Sequence, residues 1–480
     1  MRRAGWLALA VALPRLLVLF FNENLGGDAI ARTWLAHRWL EAPHLITSFD
    51  GGGKQFGPLH LYLLAFGEWL WPSLLHAGRV SSLVVGVATA WPLFVFTRRR
   101  FGDRAATLAV LGFAAWGLHV QCSTTSASEA LNLLCVMSAV AWFDAADTKR
   151  GAWWGAALAL NLACATRYDS WLLVPLLAVV EWWRTRRLLR GAAFGAVSVA
   201  FAGLWLGGNF LALGDALFPI RFIDTFHREW WPAEAALWGE GPYRVMCLLF
   251  WPGAALLTLT PALAIPAGLA LRRLWVERVE LRWVVVLIVL PSVGYGVRGA
   301  VFSTFAPLAR FTMKELLFLL PLAGWWLSAR SARVQAAALV VAATWCVALG
   351  AFTFRPDSRW SFSLRSISAT SRMETALREP ADWLRANAAP RGLLMVDEDP
   401  RGFDDLPLSY YSGFPFDQQL RRRYEHFEVA LVGRSPEWLV VFDGGRLERE
   451  GALSGESVFR GRSYVLRATF GSRRIFQAVP

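Results

Sequence analysis

The sequence predicts a polytopic α-helical membrane protein, with about 11 transmembrane helices and a large first outer loop, followed by a C-terminal soluble α/β domain. Of its 480 residues, 55% are apolar and only 18% are charged, and the mean hydropathy is +0.38. The apolar residues form separate runs, and tryptophan falls from 23 residues in positions 1–352 to three afterwards. Together these observations exclude a single soluble enzyme, a disordered chain and a small disulfide scaffold.

Eleven apolar runs are candidates for spans, because a crossing helix needs roughly 20 residues and the ends of a run can extend into its polar flanks. The runs are 6–21, 80–96, 105–118, 130–143, 153–166, 171–183, 192–210, 245–271, 283–297, 311–327 and 336–352. The first run is interpreted as an uncleaved span, since Arg15 interrupts it and no Ala-x-Ala cleavage site follows.

The orientation follows from the distribution of Lys and Arg, which concentrate in loops retained on the cytoplasmic side. With the N-terminus inside, the inner segments carry 18 basic residues in 49 positions, whereas the outer segments carry 10 in 120. The segment 58–71 is apolar but short and contains Glu68, and a crossing there would place Arg98 to Arg100 outside. It is therefore predicted to lie at the outer interface, within a first outer loop from Asn22 to about Arg79.

The domain prediction is a transmembrane domain at 1–352 and an extracytoplasmic α/β domain at 353–480. In the second domain, positions 374–388 have helical spacing, and short strands are predicted at 392–396, 438–442 and 464–469. The odd number of spans places this domain outside. The chain is thus predicted to be an integral membrane protein, of the bacterial inner membrane, with a cytoplasmic N-terminus and a periplasmic C-terminal domain.

The net charge of +13 lies mostly in short loops between apolar runs, which argues against a nucleic-acid partner. Five cysteines are scattered without a CxxC pair or a zinc-like histidine spacing, so neither a disulfide framework nor a metal site is predicted. The sequence identifies no cofactor and leaves a divalent metal open.

Four ionisable residues fall on the predicted outer side, at the ends of spans, where a charge costs free energy unless it is paired or used. Asp28 follows the first span, Glu129 begins the fourth, Arg167 ends the fifth and Arg310 precedes the tenth. Each has a structural alternative: Asp28 as a helix cap, Glu129 as a partner of a helix dipole, and the two arginines as neutralised or headgroup-anchoring groups. Their coincidence on one face favours a site with an acid to activate a hydroxyl and cations to hold a phosphate.

At this point the chain resembles the C superfamily of membrane glycosyltransferases, which includes the protein O-mannosyltransferases, the lipid A aminoarabinose transferases and the rhizobial lipopolysaccharide-core transferases. The resemblance covers most of residues 5–330. It rests on Gly27-Asp28 and on the segments 56–62 (FGPLHLY), 77–83 (AGRVSSL), 128–131 (SEAL) and 165–168 (ATRY). Two positions depart from the family pattern: Ala29 stands where many relatives carry a second acid, and His60 where proline or an aromatic residue is commoner.

The resemblance implies an inverting transferase whose donor is a polyprenyl-phosphate monosaccharide and whose acceptor is a hydroxyl of a glycolipid, glycan or protein. Asp28 takes the role of catalytic base, Glu129 that of a second catalytic acidic residue orienting the acceptor or a divalent metal. Arg167 takes the role of a donor-phosphate ligand. Arg310, which the resemblance does not assign, is expected to assist it because it is a second cation on the outer side. Three neighbouring motif positions are expected to line the substrate, namely Tyr168, His60 and Tyr62.

Two alternative functions remain open from the sequence. A multi-span secondary transporter would also need many apolar spans and ionisable residues, although such proteins usually show paired repeats, which this sequence lacks. A membrane glycan polymerase or ligase would share the lipid-phosphate chemistry and differ in whether the donor carries one sugar or many.

Overall fold

The computed structural model describes residues 2–73, 75–149, 151–353, 367, 370–388, 392–399, 404–421, 435–451 and 458–479. The start of the predicted soluble domain, at 354–366, lies outside the described residues. The chain divides into two compact units, one of residues 1–22 and 35–371 and the other of residues 23–34 and 372–480.

Helices build almost all of the first unit. In the first 145 residues they are α1 (Arg2–Leu19), α2 (Gly27–Glu41), α3 (Pro58–Leu70), α4 (Ala77–Ala88), α5 (Ala90–Phe101), α6 (Asp103–Ala114), α7 (Gly117–Cys122) and α8 (Glu129–Ala145). They continue with α9 (Ala152–Thr166), α10 (Leu173–Thr185), α11 (Leu188–Ser198), α12 (Ala200–Leu213), α13 (Phe218–Trp238), α14 (Glu240–Thr258), α15 (Pro261–Glu277), α16 (Arg282–Ala300), α17 (Met313–Ser328) and α18 (Ala332–Thr353). Helix α2 begins in the second unit and ends in the first.

Three helical stretches among the described residues are long and apolar enough to cross a membrane, Ala77–Phe101, Val279–Ala300 and Ala332–Ala351. The pair α11 and α12 also qualifies if counted as one span, with a bend of 50° between them. These stretches support the predicted membrane location, whereas the number of 11 spans stays a prediction. Helix α3, with 13 residues, is only about 20 Å long, in keeping with the interfacial position predicted for it.

The apolar run 245–271, predicted as one helix, forms two. Pro261 begins α15, and Thr260 before it has a positive φ of 69°, a conformation that ends α14. The far ends of the two helices contact different parts of the bundle. At the start of α14, Arg244 donates to the carbonyl of Ala300, and near the end of α15, Arg273 lies 5.2 Å from the ring of Trp325. Ala300 and Trp325 lie at the predicted outer and inner ends of α16 and α17. These contacts agree with a crossing by α14 and α15 together, which stays a prediction.

The second unit is an α/β structure. It contains α19 (Thr375–Asn387), β1 (Leu394–Val396), α20 (Asp405–Tyr411), β2 (Gln419–Arg421), β3 (Trp438–Phe442), α21 (Arg446–Arg449), β4 (Val458–Phe459), β5 (Arg462–Phe470) and β6 (Arg473–Ala478). The strand order is β2-β1-β3-β6-β5-β4, in which β1 pairs with β2 and β3 in parallel and the remaining pairs are antiparallel.

The sheet of the second unit is apolar on both faces, because successive residues of β3 point to opposite faces and all five are apolar and buried. On one face Val440 packs with Leu377 and Leu384 of α19, and on the other Leu439 and Val441 form a separate cluster. Residues 23–34 also belong to this unit. Glu23 accepts from Arg378 at 2.6 Å, and Asn24 donates its backbone N–H to the Tyr411 hydroxyl at 2.8 Å.

Candidate functional site

Three chain segments that are far apart in sequence converge on one charged cluster in the first unit. They are the start of α8, the turn between α9 and α10, and the turn of 3₁₀ helix (Ala309–Thr312) that leads into α17. The charged side chains of the cluster are Glu129, Arg167, Asp169, Arg310 and Lys314. The topology deduced from the basic loops places all three segments on the outer side, and their convergence agrees with that assignment.

Arg167 is at the centre of the cluster and is held on several sides. Its Nη1 lies 2.5 Å from Oε1 of Glu129 and donates to the Ser128 hydroxyl at 3.2 Å, while its Nε donates to Asp169 at 3.1 Å. The ring of Phe311 lies 5.6 Å from the guanidinium carbon, in range for a cation–π contact. Arg167 extends from the C-terminal end of α9, where its backbone leaves the helix in an extended conformation.

Glu129 lies between two arginines. The oxygen that accepts from Arg167 is also 3.8 Å from Nε of Arg310, and Arg310 approaches the same Phe311 ring at 5.6 Å. Glu129 is only 2% exposed, because it begins α8 within the packed interior. Two predicted phosphate ligands and one predicted catalytic carboxylate therefore form a single group of contacts.

Asp169 and Lys314 complete the cluster, and neither was among the predicted site residues. Lys314 Nζ donates to the backbone carbonyl of Asp169 at 2.7 Å and lies 3.0 Å from its Oδ2. Burial raises the pKa of Asp169, but the charges of Arg167 and Lys314 outweigh it and hold that pKa well below its usual range. Asp169 is therefore ionised at neutral pH. The Arg167-x-Asp169 spacing was the only sequence signal for this pair, since Lys314 is 145 residues away.

Glycines allow close contact between several segments on which the resemblance rests. A Cβ atom at Gly57 would overlap the carbonyl of Ala165, two residues before Arg167, and one at Gly78 would lie 2.6 Å from the Ser126 hydroxyl. Arg79, next to Gly78, donates from Nε to the carbonyl of Thr124 at 3.1 Å. Gly57 thus packs directly against the backbone that leads to Arg167, and Gly78 packs against the side chain of Ser126, three residues before Glu129.

The three predicted substrate-lining residues lie in the same unit. The Tyr62 hydroxyl accepts from the backbone N–H of Ile46 at 2.8 Å, and the Tyr168 hydroxyl accepts from Trp205 Nε1 at 2.8 Å. Both tyrosine rings pack on one cluster of buried apolar side chains, and burial raises the pKa of Tyr168. His60, on α3, is 1% exposed.

Asp28 belongs to the second unit. It lies within the first turn of α2 rather than before it, so its carboxylate complements the helix dipole from inside the helix, which differs from the cap that the sequence offered as an alternative. Its side chain is half-buried. In the part of the chain that the structure describes, no three His, Cys, Asp or Glu side chains gather in a way that would hold a metal ion.

Comparison with known proteins identifies the fold. Residues 55–206 match the family model described as dolichyl-phosphate-mannose-protein mannosyltransferase, a stretch that contains Glu129 and Arg167. None of the curated protein sequences matches the chain.

Solved structures match over nearly the whole chain. ArnT from Cupriavidus metallidurans bound to undecaprenyl phosphate has a TM-score of 0.67 at 14% identity, with 98% of each chain covered. Its apo structure has a TM-score of 0.65 at 16% identity, covering 99% of this chain and 98% of that one. The Archaeoglobus fulgidus oligosaccharyltransferase in complex with Zn and sulfate has a TM-score of 0.55 at 14% identity, covering 99% and 72%. The resemblance to the C superfamily is therefore confirmed for the fold.

Proposed function

We propose that this chain is an inverting glycosyltransferase, which moves a monosaccharide from a polyprenyl-phosphate donor to a hydroxyl of a lipid, glycan or protein at the outer face of the membrane. The observation that carries the proposal is the pairing of Arg167 and Arg310 around one buried carboxylate. A fold shared with an enzyme solved with undecaprenyl phosphate and a family model named for dolichyl-phosphate chemistry support the same substrate class.

The charges of the cluster suit a lipid phosphate. Three cations face two carboxylates among Arg167, Arg310, Lys314, Glu129 and Asp169, which leaves one positive charge in a largely buried region. Charge-assisted bonds from guanidinium groups to phosphate are among the stronger polar contacts in proteins, and burial reduces the screening by water. Such a site stabilises the charge that develops on a departing phosphate.

In the proposed reaction, Asp28 takes the proton of the acceptor hydroxyl. The acceptor oxygen forms a bond to the anomeric carbon as the bond from that carbon to the phosphate oxygen breaks, and the electron pair leaves with the polyprenyl phosphate. Attack from the face opposite the phosphate inverts the configuration. Arg167 and Arg310 bind the departing phosphate, and Glu129 holds the two guanidinium groups in place.

The proposal includes an orientation. The cluster and the C-terminal unit are assigned to the outer side, which is the periplasm if the protein resides in a bacterial inner membrane. Labelling of single cysteines by a membrane-impermeant reagent in intact cells tests this assignment. Reaction at Ser463→Cys in β5 and protection at Arg187→Cys at the start of α11 are expected, and the reverse pattern would contradict it.

Transfer is tested with the full chain in proteoliposomes, supplied with a short polyprenyl-phosphate monosaccharide and a detergent extract of envelope glycolipids as the acceptor. Asp28→Asn is expected to lower turnover by about 100- to 10,000-fold, the usual contribution of a general base. The matched control is Asp50→Asn, the same change at an exposed carboxylate of the same predicted loop, with near-normal turnover expected.

Near-normal transfer by Asp28→Asn would contradict the assignment of the base. Uptake of a solute without any glycosylated product would favour a transporter, and products that carry several sugars per transfer would favour a polymerase or ligase.

A further inference from the structure

Lys314 is a buried cation whose hydrogen bond and ion pair to Asp169 lie within the charged cluster. It is 3% exposed and lies in the first turn of α17. Its Nζ donates to the carbonyl of Asp169 at 2.7 Å and lies 3.0 Å from Asp169 Oδ2. A buried ammonium group is unfavourable unless it is paired and hydrogen-bonded, so its position requires Asp169.

Asp169 links Lys314 to Arg167. Its Oδ2 contacts the lysine, whereas its Oδ1 accepts from Nε of Arg167 at 3.1 Å. Both carboxylate oxygens are thus occupied by cations on opposite sides. Lys314 also binds the backbone of Asp169, which fixes the 3₁₀ turn (Tyr168–Leu172) that follows Arg167.

The orientation of Arg167 therefore depends on a contact to α17. The Nε bond to Asp169 fixes one edge of the planar guanidinium group and the Nη1 contact to Glu129 fixes another. Because a guanidinium group recognises phosphate through the geometry of its fork, its affinity for an anion depends on how well these edges are held.

We propose that Lys314 is a positioning residue, which acts through Asp169 to hold the Arg167 guanidinium group in the orientation that receives the lipid phosphate. This inference rests on the proposed function. It assigns Lys314 no contact with the phosphate, although its charge and place in the cluster would also suit a direct ligand. The two roles give different results in a double-mutant cycle.

The cycle measures binding of undecaprenyl phosphate to the full chain in detergent, with wild type, Lys314→Met, Arg167→Ala and the double variant. We expect each single variant to weaken binding by about tenfold or more, and the double variant to bind no more weakly than Arg167→Ala alone, because coupled residues are not additive. A direct phosphate ligand would instead give losses that multiply. Multiplied losses overturn the inference and leave the proposed function intact, whereas unchanged binding by Arg167→Ala contradicts the proposed phosphate site itself.

Two further variants separate positioning from folding. Lys314→Met leaves the charge of Asp169 only partly paired and can therefore impair folding. If this single variant does not fold, the double variant Lys314→Met with Asp169→Asn, which removes both charges, is used instead. The same weakened binding is expected for that pair, and binding equal to wild type would overturn the inference. Lys314→Arg keeps the charge and is expected to restore most of the affinity.

The matched control is Arg190→Met, which breaks a contact of 2.5 Å to the buried Glu181 away from the cluster. It is expected to lower the thermal stability without changing the affinity for undecaprenyl phosphate. Equal losses of affinity in Arg190→Met and Lys314→Met would show that Lys314 acts on general stability, and would also overturn the inference.

Discussion

The charge of Glu129 is expected to limit how tightly the site binds a lipid phosphate. Its Oε1 lies 2.5 Å from Arg167 and 3.8 Å from Arg310, so it occupies a position between the two guanidinium groups that are proposed to bind the donor. Glu129→Gln retains one oxygen that can accept from Arg167, replaces the other by an amide NH2 group and removes the charge. We expect undecaprenyl phosphate to bind more tightly to this variant.

The size of the effect follows from the spacing. A phosphate bound to the same guanidinium groups would lie roughly 5 to 6 Å from the carboxylate, and two unit charges at that distance interact by about 3 kcal/mol at an effective dielectric constant near 20. Asp169 and Ser128 still hold Arg167, so little affinity is lost through misorientation. Part of the Coulomb gain is screened, so we expect binding to be about 10- to 100-fold tighter.

The assay is a titration of the purified full chain with undecaprenyl phosphate, combined with product inhibition of transfer. The control is Glu181→Gln, the same change at a buried carboxylate paired with Arg190, for which no change of affinity is expected. Unchanged or weaker binding by Glu129→Gln would refute the counter-ion role. A loss of turnover at unchanged affinity would instead support the role in orienting the acceptor that the sequence suggested.

The remaining predictions concern packing and pH. Gly57→Ala would place a methyl group against the carbonyl of Ala165, and it is expected to destabilise the chain by about 1 to 3 kcal/mol and to reduce transfer. The control is Gly203→Ala, whose methyl group would meet open space and is expected to change neither property. Thermal unfolding and transfer assays check both variants. Burial raises the pKa of Asp397 from 3.8 to about 6, because the folded state favours the protonated carboxyl group. The stability that this protonation gives to the second unit is complete below about pH 4 and is lost as the pH rises through about 6. Asp397→Asn should remove this dependence and add about 3 kcal/mol at pH 8, and unchanged hydrogen exchange of residues 438–442 at that pH would contradict it.

Local sequence patterns predicted the secondary structure well where the signal is local. The spacing at 374–388 corresponds to α19 at Thr375–Asn387, and the β-branched and aromatic run at 438–442 is β3 with the predicted bounds. The orientation count also placed Arg167, Glu129 and Arg310 on one side, and the structure brings them into contact. These inferences succeed because hydrophobic periodicity and the charge of a short loop are both read from residues that are neighbours in the sequence.

Features that depend on distant contacts were not predictable. Lys314 gave no more signal than any basic residue near a span, since its partner Asp169 is 145 positions away. The break at Thr260 was missed because the run is apolar throughout and Pro261 is one of three prolines in it, of which Pro252 and Pro266 lie inside helices. The membership of residues 23–34 in the second unit depends on bonds such as that of Glu23 to Arg378, which no local pattern encodes.

The net charge of the cluster affects both the barrier of the proposed reaction and the release of its phosphate product. A polyprenyl-phosphate sugar is a phosphodiester with one negative charge, whereas the released polyprenyl phosphate carries up to two, since the second pKa of such a phosphate is about 6. Cations that contact the phosphate therefore gain interaction energy as the sugar departs, which lowers the barrier. The same gain favours retention of the product. Glu129 opposes this retention, because its carboxylate repels the dianionic product more strongly than the monoanionic donor. A site with one net positive charge therefore matches the charge of the donor better than that of the product.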